Sequence, residues 1–190
     1  MESDRIKWNQ RFESEDSFLG ERPSPLLVRE MERIKRLAPG LKALDIACGE
    51  GRNSIFLAQH GFTVIGLDIS DAGIARGIRR AAAAGVQVEF RQTDLEGYRI
   101  CERFDLIINF NFLLRELIPE EVAALTPGGL LLFDTIMEAP HLLVSHNPTY
   151  LLGRGELARI FAAYNGEILF EEEVEQGEFP TARLMFRKSP

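Results

Sequence analysis

The sequence predicts an α/β fold: a doubly wound, mostly parallel sheet of seven strands with helices on both faces. Three observations predict it. Short apolar runs at 41–47, 62–68, 86–91, 104–110 and 129–135 are bounded by Gly, Asp or Pro, and they are continuous enough to be buried on both faces. Helix-like stretches at 52–60 and 71–84 separate the first three runs, and strand–helix alternation implies parallel pairing. Two last runs, 166–175 and 180–187, stand close enough to pair as a hairpin around Gly177, so one strand runs antiparallel to the rest.

The elements follow in order. Residues 1–22 are polar, with Trp8, Phe12 and Phe18 spaced along them. A helix within 23–40 opens with Ser24 as N-cap and Pro25 at the first helical position, then runs through Leu26, Leu27, Met31, Ile34 and Leu37. Pro39-Gly40 stops it. In the 71–84 helix Ile74 and Ile78 are read as the inner face, with Arg76, Arg79 and Arg80 opposite as a solvated face. A loop from Glu138 to Tyr150 leads to a helix near 155–163, and Glu171, Glu172, Glu173 and Glu175 mark the outer part of a late strand.

Composition narrows the function. The chain of 190 residues reads as one domain, 1–190, large enough to bury a sizeable core, and its 45% apolar and 27% charged residues are ordinary for a globular protein. Two cysteines, Cys48 and Cys101, are too few for a disulfide framework, and Cys101 has no nearby His or Cys to suggest a metal site. A net charge of −7 argues against nucleic acid as an obligate partner. The first residues lack the apolar core of a signal peptide, and no apolar window is long enough to span a membrane. A soluble, cytoplasmic chain is the expectation.

The strongest local signal is Leu44-Asp45-Ile46-Ala47-Cys48-Gly49-Glu50-Gly51-Arg52-Asn53, which follows the first strand and opens a helix. Small residues at 47, 49 and 51 permit a sharp turn and close ligand approach, and the helix N-terminus favours a carboxylate or phosphate. Asp68 ends the second strand 19 residues after Gly49, placed to accept both hydroxyls of a ribose or to serve the following helix as an N-terminal charge, where Ser70 is already a cap. Asp94, just after the third strand, suits an exocyclic adenine amine or a turn. Asp45 could face a ligand ammonium group, since an unpaired Asp there would be expensive.

The run LDIACGEGRNSIFLAQHGFTVIGLDIS resembles the first two motifs of class I S-adenosylmethionine-dependent methyltransferases, and LTPGGLLLFDTI resembles their fifth strand and the loop before it. WNQRFESEDSFLGERPSPLL, the GRN after the glycines and NPTYLLGRGEL resemble the small tellurite-resistance and thiopurine-type branch. The resemblance implies a Rossmann-like sheet of order 3-2-1-4-5-7-6 with strand 7 antiparallel. It implies S-adenosylmethionine as cofactor and S-adenosylhomocysteine as product. The methionine part would lie on Gly49–Gly51, the ribose on Asp68 and the adenine near Asp94, with Ala47, Cys48, Asn53, Ile69 and Leu95 completing the contacts. Asn109 to Phe112, Asn109 and Phe110 above all, would lie near the methyl group. Trp8 and Phe12 would belong to an N-terminal cap over the site, residues 1–22. Ala47 stands where the motif has its first glycine.

Methyl transfer requires alignment of acceptor, sulfur and methyl carbon, with water excluded. The acceptor implied is a small molecule with a soft nucleophile, such as tellurite, selenite or a thiol, for which no general base is needed. Arg115 and Arg11 are candidates for binding an anionic acceptor, and His146 or His141 for a base. Asn109-Phe110-Asn111-Phe112 lacks the Pro-Pro-aromatic turn typical of amino-nitrogen methylation. Phe110 and Phe112 suit either an apolar wall of the site or the core. Two alternatives stand: a binding protein for the same cofactor without turnover, and an NAD-dependent oxidoreductase on a similar loop. Oligomeric state is not legible.

Overall fold

The computed structural model describes residues 2–14, 20–176 and 179–190; Phe18 and Gly177 lie outside them. Along these residues run α1 (Glu2–Ser14), α2 (Pro25–Leu37), β1 (Lys42–Ile46), α3 (Arg52–Gln59), β2 (Thr63–Asp68), α4 (Asp71–Ala83), β3 (Glu89–Gln92), β4 (Phe104–Phe110), α5 (Ile118–Ala124), β5 (Leu125–Ile136), α6 (Glu156–Phe161), β6 (Gly166–Val174) and β7 (Thr181–Lys188). Among the described residues no helix is long and apolar enough to cross a membrane.

The strands form one sheet of order β3-β2-β1-β4-β5-β7-β6. Pairing is parallel from β3 to β5, and β7 runs antiparallel to both β5 and β6, as the sequence predicts. Strand alternation sends successive apolar side chains to opposite faces. Ala43, Val64, Leu106, Ile108, Leu130, Leu132 and Met185 pack with Leu27, Ile34 and Leu57 of α2 and α3. Leu44, Ile46, Leu67, Ile107, Leu131, Phe133 and Phe186 face the other way, onto α5 and α6.

Several local expectations need correcting. Ser24 occupies the N-cap position of α2, but its side chain makes no capping bond; its N–H donates instead to Asn53 Oδ1 at 2.8 Å. Ile78 is 53% exposed, and the buried face of α4 is Gly73, Ile74, Gly77 and Ala81. Gly77 is small because the Phe90 ring would stand 3.0 Å from a Cβ there. Arg76 and Arg80 are not a solvated face. Their Nη1 atoms reach the two oxygens of buried Glu50 at 2.5 and 3.3 Å, whereas Arg79 is exposed. The late acidic run is anchored as well: Glu172 meets Arg29 and Arg183, and Glu173 accepts the Gly155 N–H. β3 is shorter than expected, and β5 begins earlier, at Leu125, with a register shift opposite Phe104–Leu106.

Candidate functional site

Strand register brings the decisive residues to one edge. Ile46 pairs with Leu67 and Asn109, Asp68 with Gln92, and Phe110 with Asp134, so the carboxyl ends of β1, β2, β4 and β5 align at the point where strand order reverses. The turn from β1 to α3 needs left-handed backbone at Ala47 (φ 52°), Gly49 (φ 55°) and Gly51 (φ 75°). At Gly51 a Cβ would also stand 2.5 Å from the Phe90 ring, so glycine is required there twice over.

Asp68 ties this turn to β2. Its Oδ2 accepts the Gly49 N–H at 2.7 Å and its Oδ1 the Ser70 N–H at 2.8 Å. Burial raises the carboxyl above the usual carboxylate range, against the pull of those N–H groups. Ser70 caps α4 by accepting from the Gly73 N–H at 3.0 Å, so Asp68 is not needed as that cap. Asp45, two residues before Ala47, accepts the Ser54 hydroxyl at 2.6 Å, and burial pushes it up to about 7. Asn53 is spent on the Ser24 N–H. Burial also pushes the Cys48 thiol up, and its sulfur packs where a Gly66 Cβ would stand, 2.9 Å away.

The adenine-side residues divide. Asp94 is exposed and its Oδ1 accepts the Glu96 N–H at 3.0 Å, Leu95 is buried, and the Ile69 carbonyl accepts from Gln92 Nε2 at 3.3 Å. At the β4 end, Asn109 turns into the α5 side, where its Nδ2 donates to Glu121 Oε1 at 2.8 Å. Phe110 packs in the core on the α2 face, and Phe112 against the opposite core.

α1 closes over the loop. The Phe12 ring lies 3.1 Å from Cβ positions at both Gly49 and Gly73, and Trp8 stacks on it with centroids 6.0 Å apart. Arg11 lies 5.3 Å over the Trp8 ring. Asn9, which the sequence reading passes over, fastens the helix: its Oδ1 accepts the Ser70 hydroxyl at 2.6 Å and its Nδ2 donates to Asp71 at 2.6 Å.

Of the four residues named for the acceptor, Arg11 lies on α1, Arg115 after β4, and His141 and His146 are exposed in the segment after β5. Arg115 makes a two-pronged pair with Glu156 (2.6 and 3.0 Å) and donates to the Thr149 and Leu151 carbonyls at 2.6 and 2.9 Å. His146 is exposed, its Nδ1 2.9 Å from the Ser145 hydroxyl and its ring edge-on to Phe179. Asp134, also passed over, lies near the carboxyl end of β5, 8% exposed, its Oδ2 3.3 Å from Arg183 Nε. A signal was there: it is a lone acid within a strongly apolar run, 129–135.

Comparison with known proteins agrees with this geometry. Residues 43–129 match the family model described as "Methyltransferase domain". The ubiquinone biosynthesis O-methyltransferase of Pseudomonas fluorescens (strain SBW25) is 33% identical over 126 residues, 62% of this chain and 53% of that protein. The chain thus spans about half the length of such curated relatives. Among solved structures, the N-methyltransferase NodS from Bradyrhizobium japonicum WM9, in complex with S-adenosylhomocysteine, superposes with a TM-score of 0.73 at 20% identity, covering 96% of this chain and 99% of that one. Magnesium protoporphyrin IX methyltransferase from Synechocystis PCC 6803 gives 0.71 at 20% identity over 85% and 80%. Strand order, the turn between β1 and α3, and these likenesses together identify the fold as that of the class I methyltransferases.

Proposed function

We propose that this protein transfers a methyl group from S-adenosylmethionine to a small-molecule acceptor. The observation that carries the reading is the join of Asp68 to the Gly49–Gly51 turn at the switch point of the sheet. The residues present fit the cofactor. Asp68 accepts backbone N–H groups of Gly49, Ile69 and Ser70, and the carboxylate's remaining acceptor capacity suits neighbouring ribose hydroxyls. In this reading Gly49–Gly51 takes the methionine part, Ile69, Asp94 and Leu95 flank the adenine, and Phe12 with Trp8 excludes water above the turn. When bound, the cofactor supplies an activated methyl on a sulfonium, so the chain's own task is to align the acceptor and handle its proton.

Calorimetric titration with S-adenosylhomocysteine tests the reading. The wild-type protein binds it, and Asp68→Ala weakens binding by about tenfold or more, the scale of a lost charge-assisted hydrogen bond. Binding of NAD in its place would sink the proposal and revive the oxidoreductase. A protein that binds the cofactor but methylates nothing would be the non-catalytic alternative.

For the acceptor, the relatives' printed activity favours a hydroxyl. The soft nucleophile of the tellurite and thiopurine-type branch is a second reading, resting on the N-terminal and NPTYLLGRGEL segments. Arg115, with its donors on Glu156 and two carbonyls, we assign to holding the 149–151 loop in place of binding the acceptor.

A further inference from the structure

Asn109 lies one residue before the end of β4, in register with Ile46 of β1 and Phe133 of β5. It is 1% exposed, and its Nδ2 donates to Glu121 Oε1 at 2.8 Å. Glu121 is 0% exposed, on a helix whose other buried residues are Ile118, Val122 and Ala124. An acid in the first turn of a helix ordinarily stands near solvent and meets the positive end of the dipole. Glu120 does so and pairs with Arg99, whereas Glu121 turns inward to the sheet.

Each group of this pair keeps one buried oxygen without a hydrogen-bond partner among the described residues, Oδ1 on Asn109 and Oε2 on Glu121. Two orphaned acceptors on groups already joined by a hydrogen bond are costly, and a single proton between them satisfies both. No cation steadies a charge there: burial and the Asn109 bond are what act on the carboxyl, and Tyr164, after α6, is the titratable neighbour that feels it. The cations packed against α5 are engaged elsewhere. Lys188 Nζ donates to the Val122, Ala123 and Leu125 carbonyls at 3.1, 3.0 and 2.9 Å, and Arg103 donates to the Ala123 carbonyl. They fix the C-terminal end of α5, so Glu121 stands on a rigid support.

We propose that Glu121 is a neutral carboxylic acid joined to Asn109 by two hydrogen bonds, Nδ2–H to Oε1 and Oε2–H to Oδ1, and that it is a positioning residue for the β4 end of the cofactor site. The proton comes from solvent and stays on Glu121, which touches neither cofactor nor acceptor. Asn109 leads directly into Phe110 and the left-handed Asn111 (φ 56°), so fixing its side chain fixes the approach to that turn. Burial raises the carboxyl to about 7, and as pH rises through that value the proton leaves and both oxygens lose their partner.

The positioning role rests on the methyl-transfer reading, whereas the pair itself does not, and two measurements separate them. Infrared spectra of the full chain are compared for wild type and Glu121→Gln, whose amide supplies an N–H in place of the proton. Below pH 7 the wild type shows a carboxylic acid C=O band that Glu121→Gln lacks, and the band fades above pH 7. In Asn109→Leu, which keeps the acid and removes its partner, the band shifts to that of an acid without a hydrogen bond. No band lost in Glu121→Gln, or an unmoved band in Asn109→Leu, overturns the pair. Titration with S-adenosylhomocysteine on either side of pH 7 then reads the positioning. Wild-type affinity falls about fivefold more than that of Glu121→Gln, the scale of one lost hydrogen bond, and the difference cancels the titration of Asp45 that both proteins share. Equal falls in the two proteins overturn the positioning role. A wild type that binds no S-adenosylhomocysteine at either pH overturns the methyl-transfer reading and the role with it, and the infrared band still decides the pair.

Discussion

Ala47 adopts a φ of 52°, in a region that costs a side chain roughly 1–2 kcal/mol, at the position where the motif it resembles has glycine. The strain sits in the turn between β1 and α3, where Gly49 and Gly51 also take positive φ. Ala47→Gly should leave stability unchanged or raise it by up to about 1 kcal/mol, while Ala47→Val should lower it by about 1–2 kcal/mol or more. Urea unfolding checks both, and equal stability of the two variants would contradict the strain. Asn111, the other side chain in the left-handed region, has a φ of 56° at the β4 end, where asparagine is among the least penalised residues.

At the scale of elements, α1 is attached through few contacts, and they concentrate on α4. Phe12 fills the space above Gly49 and Gly73, Asn9 joins Ser70 and Asp71, and Arg5 reaches Asp71 at 3.0 Å. Truncation of one aromatic should therefore release the helix without unfolding the sheet. For Phe12→Ala, amide hydrogen exchange should quicken across residues 2–14 and remain slow in β1, β4 and β5. Uniform quickening everywhere would mean that α1 belongs to the global folding unit. Arg76 and Arg80 play the corresponding part for the turn, because they carry the α4 scaffold to Glu50.

The whole molecule holds several acids that burial discourages from ionising. Glu121 is pushed up from 4.5 to about 7, and Asp45 from 3.8 to about 7; Asp68 and Asp134 move the same way. A carboxyl whose folded pKa is raised favours the folded state below its unfolded pKa, and that advantage is lost as pH rises through the folded value. Thermal stability should therefore fall between about pH 4 and pH 7. Glu121 alone accounts for up to about 3 kcal/mol, its carboxyl rising from 4.5 to about 7. Melting temperatures across that range check this, and Glu121→Gln, which keeps an oxygen for Asn109 Nδ2, should flatten the decline.

What the sequence determined by itself was whatever depends on neighbours along the chain. The strands, the helix start at Pro25, the stop after Leu37, the positive-φ turn at 47–51 and the Ser70 cap are all legible, because backbone dihedrals and periods of 2 and 3.6 are local properties. Only the tertiary structure decided where the charges go. Glu50 finds Arg76 and Arg80 across 26 and 30 residues, Asn109 turns to Glu121, and Arg115 closes on Glu156 across 41. Asp134 meets Arg183 because β7 runs antiparallel beside β5 in a register that pairs those two residues. Such pairings depend on strand order and register between distant segments, and no local periodicity encodes them. For that reason an arginine read as solvated became a partner of buried Glu50, and an acid read as part of an apolar strand became the partner of Arg183.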